Sequence, residues 1–212
     1  MESIDNKEKG LSKSLKETIS LSNLSEIGVE IAEVSIDSIL KEGVLKDFPI
    51  IGSLVGIWKT GVTINDYRFL KKMLLFLNES SSLSDKIRKR IIEDLEDETY
   101  QTEAGEKLIA VIDKLETGSK AKMLGKSLTL FGNGIISKDE FWRVSFVIER
   151  LPMSDIIFLK DWKNSDLNRI DEIRKQLYLS VGLGWFVLNI SSTGFCWQER
   201  LCEIFADNLI EK

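Results

Sequence analysis

The sequence predicts an all-α fold: a multi-helix bundle with a small C-terminal helix–strand–helix appendage. Two observations carry most of that expectation. Only two prolines, Pro49 and Pro152, occur in 212 residues, and proline is the residue that helix interiors exclude. Most of the chain also divides into segments whose apolar residues recur every three or four positions, the signature of helices with one buried face. With 43% hydrophobic residues the chain can bury a sizeable core, so global disorder is not expected.

The first segment, MESIDNKEKGLSKSLKE, is polar and mixed in charge. It has no apolar stretch of the kind a secretory signal needs, and residues 1–20 read as a flexible tail. A bundle is expected over 21–164. Its first helix, 24–40, carries Ile27, Ile31, Val34, Ile36, Ile39 and Leu40, with Gly43 as its stop. Pro49 restarts the chain, since proline suits a first helical turn. The apolar run FPIIGSLVGIWKTGVTIN follows at 48–65, interrupted by Lys59 alone. Asn65 or Asp66 opens the next helix, with Phe69, Leu70, Met73, Leu74, Phe76 and Leu77 apolar and Arg68, Lys71 and Lys72 basic.

Ser84 is an N-cap for a helix on Ile87, Ile91, Ile92 and Leu95. Glu103 to Leu115 and Lys120 to Phe131 are two more amphipathic helices, separated by the turn Thr117-Gly118-Ser119. Gly132-Asn133-Gly134 is a break. Ser137 followed three residues on by Glu140 is a capping-box pattern for the helix that Pro152 ends. A short apolar helix at Asp155 to Trp162 and a longer one at Leu167 to Val181 lead into GWFVLNIS at 184–191. That segment is aromatic and β-branched, and it reads as a strand. Glu199 to Ile210 is a final amphipathic helix. Residues 165–212 form the appendage, with the outline of a degenerate winged-helix end that lacks a basic recognition face.

Two apolar runs decide the relation to membranes. Residues 48–65 reach 18 residues only by counting through Lys59, close to the ~20 a span requires. Gly52 and Gly56 are spaced as GxxxG, which permits close helix contact. Residues 176–198 carry no charge, but Gly182 and Gly184 interrupt them and the second half is polar. A buried core helix and a membrane-active helix both remain open for 48–65.

Composition removes several chemistries. No histidine is present, so no Ser-His or Cys-His nucleophile can be assembled within the chain and the commonest metal ligand is missing. Cys196 and Cys202 are the only cysteines. On one helix they would stand about 9 Å apart along the axis, too far for a disulfide, and they are expected to be reduced core residues of a cytoplasmic protein. The net charge of −5 argues against nucleic acid as partner. GNGIISKDEF at 132–141 imitates the second half of an EF-hand loop, but Thr129 and Phe131 stand where the first carboxylates belong. A helix–turn–helix junction is the expected form. Glu93, Asp94, Glu96, Asp97, Glu98, Glu103 and Glu106 are read as a solvated helix end. No cofactor or metal site is expected.

DSILKEGVLKDFPIIGSLVGIWKTGVTINDYRFLKKMLLFL at 37–77 resembles a group of uncharacterised bacterial helical proteins. KAKMLGKSLTLFGNGIISKDEFWRVSFVIERL at 120–151 is similar to the same group and, loosely, to the tellurite-resistance TerB-like fold. The matches cover a little over a third of the chain. The resemblance implies metal binding and membrane-linked stress roles, and an accessory place in bacterial stress or phage defence.

The expected function is therefore non-enzymatic contact, with a protein partner, a second copy of the chain or an anionic membrane surface. The expected location is cytoplasmic, peripheral to the inner membrane. The candidate contact residues are Gly52, Gly56, Trp58, Lys59, Arg68, Lys71 and Lys72. Two alternatives stand beside it: a membrane-perturbing defence effector that exposes residues 48–64 on activation, and a carboxylate-metal enzyme using the acids of 93–106.

Overall fold

The structure, a computed structural model, describes residues 2–21, 48–58, 62–95, 104–164, 170–189 and 192–210. The expected helix at 24–40 and its Gly43 stop lie outside the described residues, as does Lys59. The fold is all-α with a small two-stranded antiparallel sheet near the C-terminus. The chain divides into two compact units, Met1–Lys138 and Asp139–Lys212, whereas the sequence places the boundary at 164/165. The two helices that the sequence placed at the end of the bundle, at 139–151 and 155–162, fall in the second unit.

In the first unit α1 spans Glu2–Ile19, α2 Pro49–Ile57, α3 Ile64–Ser80, α4 Asp85–Leu95, α5 Ala104–Lys114 and α6 Gly118–Gly132. The expected flexible tail is thus a helix, and its C-terminal half is packed. Leu15 and Ile19 are fully buried. They form a narrow apolar stripe that Ser12, Ser14 and Thr18, also buried, complete with small polar side chains. Apolar and small polar side chains thus share one buried face of α1.

Polar groups tie α1 to α2. Thr18 Oγ1 donates to Ser14 O (2.8 Å) and accepts from the Ile50 amide (3.0 Å). Ile50 N is one of the first amides of α2, which have no partner within their own helix. Ser14 Oγ lies 2.6 Å from Ser53 Oγ. On the other side of α1, a Cβ at Gly105 would lie 2.5 Å from Ser12 Oγ and 2.7 Å from Ser12 O, so only glycine lets α5 come this near.

α3 starts at Ile64, one or two residues earlier than expected, and Thr63 and Asp66 form a capping box there. Asp66 N donates to Thr63 Oγ1 (3.2 Å), and Thr63 N donates to Asp66 Oδ2 (2.8 Å). The box closes two otherwise orphaned amides. Leu70, Met73, Phe76 and Leu77 of α3 are fully buried, as are Leu124 and Leu128 of α6. A Cβ at Gly125 would stand 2.5 Å from Phe76 O, so the glycine that lets α3 and α6 approach lies in α6. The Gly132-Asn133-Gly134 break closes α6: Gly134 is left-handed (φ 73°), and Ile135 N donates to Leu130 O (2.9 Å). That is a helix-terminating pattern, and it fits the helix–turn–helix junction.

In the second unit α7 spans Lys138–Arg150 and α8 Met153–Phe158, running into a 3-10 turn at Leu159–Asn164. α9 spans Glu172–Ser180, β1 Gly184–Asn189, β2 Ser192–Trp197 and α10 Glu199–Glu203, with π-helical geometry over Ile204–Leu209. β1 pairs antiparallel with β2 in the register Trp185↔Cys196 and Val187↔Gly194. The single expected strand is therefore one half of a hairpin. Phe195 and Trp197 of β2 are buried with Tyr178 and Trp162, and the Tyr178 and Trp197 ring centroids are 5.1 Å apart. Trp185 stays half exposed.

Candidate functional site

Arg68, Lys71 and Lys72 stand at i, i+3 and i+4 of α3, which places them along one side of the helix. They have two different fates. Lys72 is buried, and its Nζ donates to Asp113 O (2.5 Å) and Leu115 O (2.9 Å). These carbonyls end α5, where backbone acceptors lack helical partners and a cation is favoured by the helix dipole. Burial lowers the Lys72 pKa, and the Asp113 carboxylate opposes that shift. Lys72 is thus a structural cation rather than the contact residue the sequence predicts.

Arg68 and Lys71 are exposed. They open onto a cavity of about 790 Å³ that is also lined by Lys72, Asp113, Glu116, Ser119 and Lys122. Four cationic side chains therefore face two carboxylates. Glu116 is already engaged by the buried Lys120, at 3.1 Å. The loop after α5 and the start of α6 close the cavity on one side. Thr117 caps α6 by accepting from Lys120 N (3.3 Å), and Gly118 packs against the end of the Leu75 side chain of α3, whose Cδ1 would stand 2.6 Å from an added Cβ.

A second hollow of about 720 Å³ adjoins the first. Both are lined by Asn65 and Asp113. Its walls are largely carbon: Leu54 and Ile57 from α2, Trp58 at the C-terminal cap of α2, Phe69 from α3, Ile109 from α5 and Leu11 of α1, with Asp66, Glu106, Lys107 and Lys114 also lining it. Trp58 is half-buried, and its indole lies near enough to the Asp66 carboxylate to help lower that group's pKa slightly. Asp66 titrates below the usual carboxylate range, chiefly through its hydrogen bonds from Thr63.

Of the seven residues the sequence singled out, Trp58, Arg68, Lys71 and Lys72 thus meet around two adjoining hollows. Gly52 and Gly56 do not. Both are exposed, and no described atom lies within 4 Å of a Cβ built at Gly56. Residues 48–65 do not form one long helix either. α2 ends at Ile57, and α3 begins at Ile64 after its extended cap. Among the described residues no helix is long and apolar enough to cross a membrane.

Of the acidic run, Glu96, Asp97, Glu98 and Glu103 lie outside the described residues, and Asp94 pairs with Arg90 at 3.5 Å. Sequence reasoning missed Lys122, which joins the cationic cavity from α6, and the carbon-lined groove. Thr117 as a helix cap was the available signal for Lys122, since it sets Ser119 and Lys122 on the opening turns of α6. No protein-family model matches this sequence, and comparison with curated proteins and with solved structures returns no match.

Proposed function

We propose that this protein is a non-enzymatic helical contact protein that docks on an anionic membrane surface through the face of α3 and α6 bearing Arg68, Lys71 and Lys122. The observation that supports this reading is the convergence of exposed cations from two helices on the rim of one cavity. Clustered Lys and Arg beside an acidic bilayer contribute about 1 kcal/mol each, and the attraction is screened by salt. The chain's overall charge of −5 restricts such docking to this local patch. What supports a kinship with the tellurite-resistance TerB-like fold, and a role in bacterial stress or phage defence, is the sequence pattern of 37–77 and 120–151.

Flotation with liposomes tests the reading. Wild type should rise with vesicles containing phosphatidylserine and stay at the bottom with purely zwitterionic ones. The triple variant Arg68→Glu, Lys71→Glu, Lys122→Glu should lose at least about a hundredfold in affinity, three such contributions removed before the added repulsion counts. Lys72 is left untouched because it holds the end of α5. Wild type that never floats, or a triple variant that floats as well as wild type, refutes the proposal.

A further inference from the structure

We infer that the two adjoining hollows form one binding site for a single-chain anionic lipid, with its head among Arg68, Lys71 and Lys122 and its acyl chain in the groove of Leu54, Ile57, Phe69 and Ile109. This rests on the membrane-contact reading and deepens it: the surface that meets an acidic bilayer also takes up one lipid molecule from it.

Three observations carry the inference. The hollows share Asn65 and Asp113 as lining, so they lie on either side of those two side chains, and a ligand that fills both would pass over them. Their polarities differ in the way an amphiphile requires. Exposed Arg68, Lys71 and Lys122 stand at one end, and half-buried Ile57, Phe69 and Ile109 at the other. Their volumes, about 790 and 720 Å³, fall in the range of ordinary ligand sites, which are mostly apolar with a few placed polar groups. A polymethylene chain needs no hydrogen-bond partners, and it can lie along Leu54, Ile57, Phe69 and Ile109 while Asp66, Glu106, Lys107 and Lys114, which also line the groove, keep their polar ends to solvent. An extended peptide would bring a backbone donor and acceptor at every residue and would need an edge or side chains to satisfy them. The anionic head also answers the excess of cations, since the opposing Glu116 is taken up by Lys120.

The test measures binding of oleoyl lysophosphatidate to the full chain below its micelle concentration, beside flotation on acidic vesicles. Oleoyl lysophosphatidate should bind at least about a hundredfold more tightly than glycerol phosphate, because each buried methylene multiplies affinity roughly fourfold. It should also bind at least tenfold more tightly than oleoyl lysophosphatidylcholine, as expected when cations select the head. Across a series of acyl lengths the wild-type affinity should climb and then level off once the groove is filled.

The double variant Ile57→Gln, Ile109→Gln should lose the lipid while its thermal midpoint and its flotation persist. Flotation without uptake of the free lipid overturns the inference and leaves the docking reading standing. So does glycerol phosphate binding as tightly as the lipid, or an affinity flat across chain lengths. Neither flotation nor lipid uptake removes both. The chain-length series uses wild type alone, so it decides the matter even if the double variant misfolds.

Discussion

Residues 48–58 and 176–197 are both long, nearly uncharged apolar stretches, and the fold treats them in opposite ways. The first becomes α2, a single nine-residue helix. Its buried residues Ile50, Ile51 and Leu54 face inward while Gly52 and Gly56 are left outside. The second does not stay helical. α9 stops at Ser180, Gly182 turns left-handed (φ 75°), and Leu183 N closes back on Tyr178 O at 2.9 Å. The chain then reverses as the β1–β2 hairpin. Absence of charge was common to both, so it could not have decided between them. What separated them is where the chain could satisfy its backbone. α2 borrows an oxygen from Thr18 for one of its first amides, whereas the later run makes its own ladder between Gly184–Asn189 and Ser192–Trp197.

The strongest way to break the contrast is to deny the second run its hairpin. A Cβ on Gly184 would run into the Phe195 ring and stand 2.7 Å from Cys196 O. Gly184→Val should therefore cost about 3 kcal/mol, at the upper end of what overpacking a close contact does, read as a shift in urea midpoint. The aromatic near-ultraviolet dichroism of the Tyr178–Phe195–Trp197 cluster should fall with it. Gly194, where an added Cβ meets no described atom within 4 Å, supplies the control: Gly194→Ala should leave the cluster intact.

The first run is broken at its borrowed oxygen. Thr18→Val keeps the shape of the side chain but removes the acceptor for Ile50 N and leaves that buried amide without its partner. The expected loss is about 1–2 kcal/mol, with Thr18→Ser recovering most of it because the hydroxyl returns. A Thr18→Val protein as stable as wild type would mean that α2 is held by its apolar face alone.

Much of this was legible in the sequence, and the parts that were not share a cause. The helices α3 to α7 carry apolar residues at helical spacing, and spacing is a one-dimensional signal. α1 escaped because its buried face is half Ser and Thr, whose burial makes sense only once Ser53, Ile50 and Gly105 are opposite them. β2 escaped although Phe195 and Trp197 alternate correctly for one buried face, since STGFCW also holds a glycine and two hydroxyls. In the site, Arg68 and Lys71 could be read from α3, but neighbouring Lys72 looked identical to them. Only the position of the α5 carbonyls tells which lysine turns inward, and only the packing of α6 on α3 brings Lys122 to the same cavity.

The hairpin also fixes a thiol, which gives the comparison a pH axis. Cys202 is fully buried beneath it, with its Sγ 3.8 Å from Leu183 O, and burial pushes its pKa from 9.0 up to about 12. Between those values the unfolded chain has released a proton that the native protein keeps. The unfolded state binds fewer protons, so stability falls as pH rises through that window. At pH 10 the loss from this one group is about 1.4 kcal/mol. Wild type should therefore lose that much relative to Cys202→Ala between pH 8 and pH 10, in paired urea titrations. A constant gap would mean that the thiol is not shielded by the second run.

The smallest expected effect has the opposite sign and bears on how the first run is used. Gly56 sits near the end of α2 with an open surface around it, so it carries the entropic cost of glycine in a helix without the benefit of a close approach. Gly56→Ala should stabilise the protein by about 0.5–1 kcal/mol. Gly125→Ala, at the α3–α6 contact, should destabilise it, because its Cβ would press on Phe76 O. If Gly56→Ala instead weakened flotation on acidic vesicles while raising the thermal midpoint, the open glycine face would be part of the contact surface and would extend the groove beyond Ile57. If it leaves flotation unchanged, docking stays with the cations of α3 and α6, and the GxxxG spacing is incidental to α2.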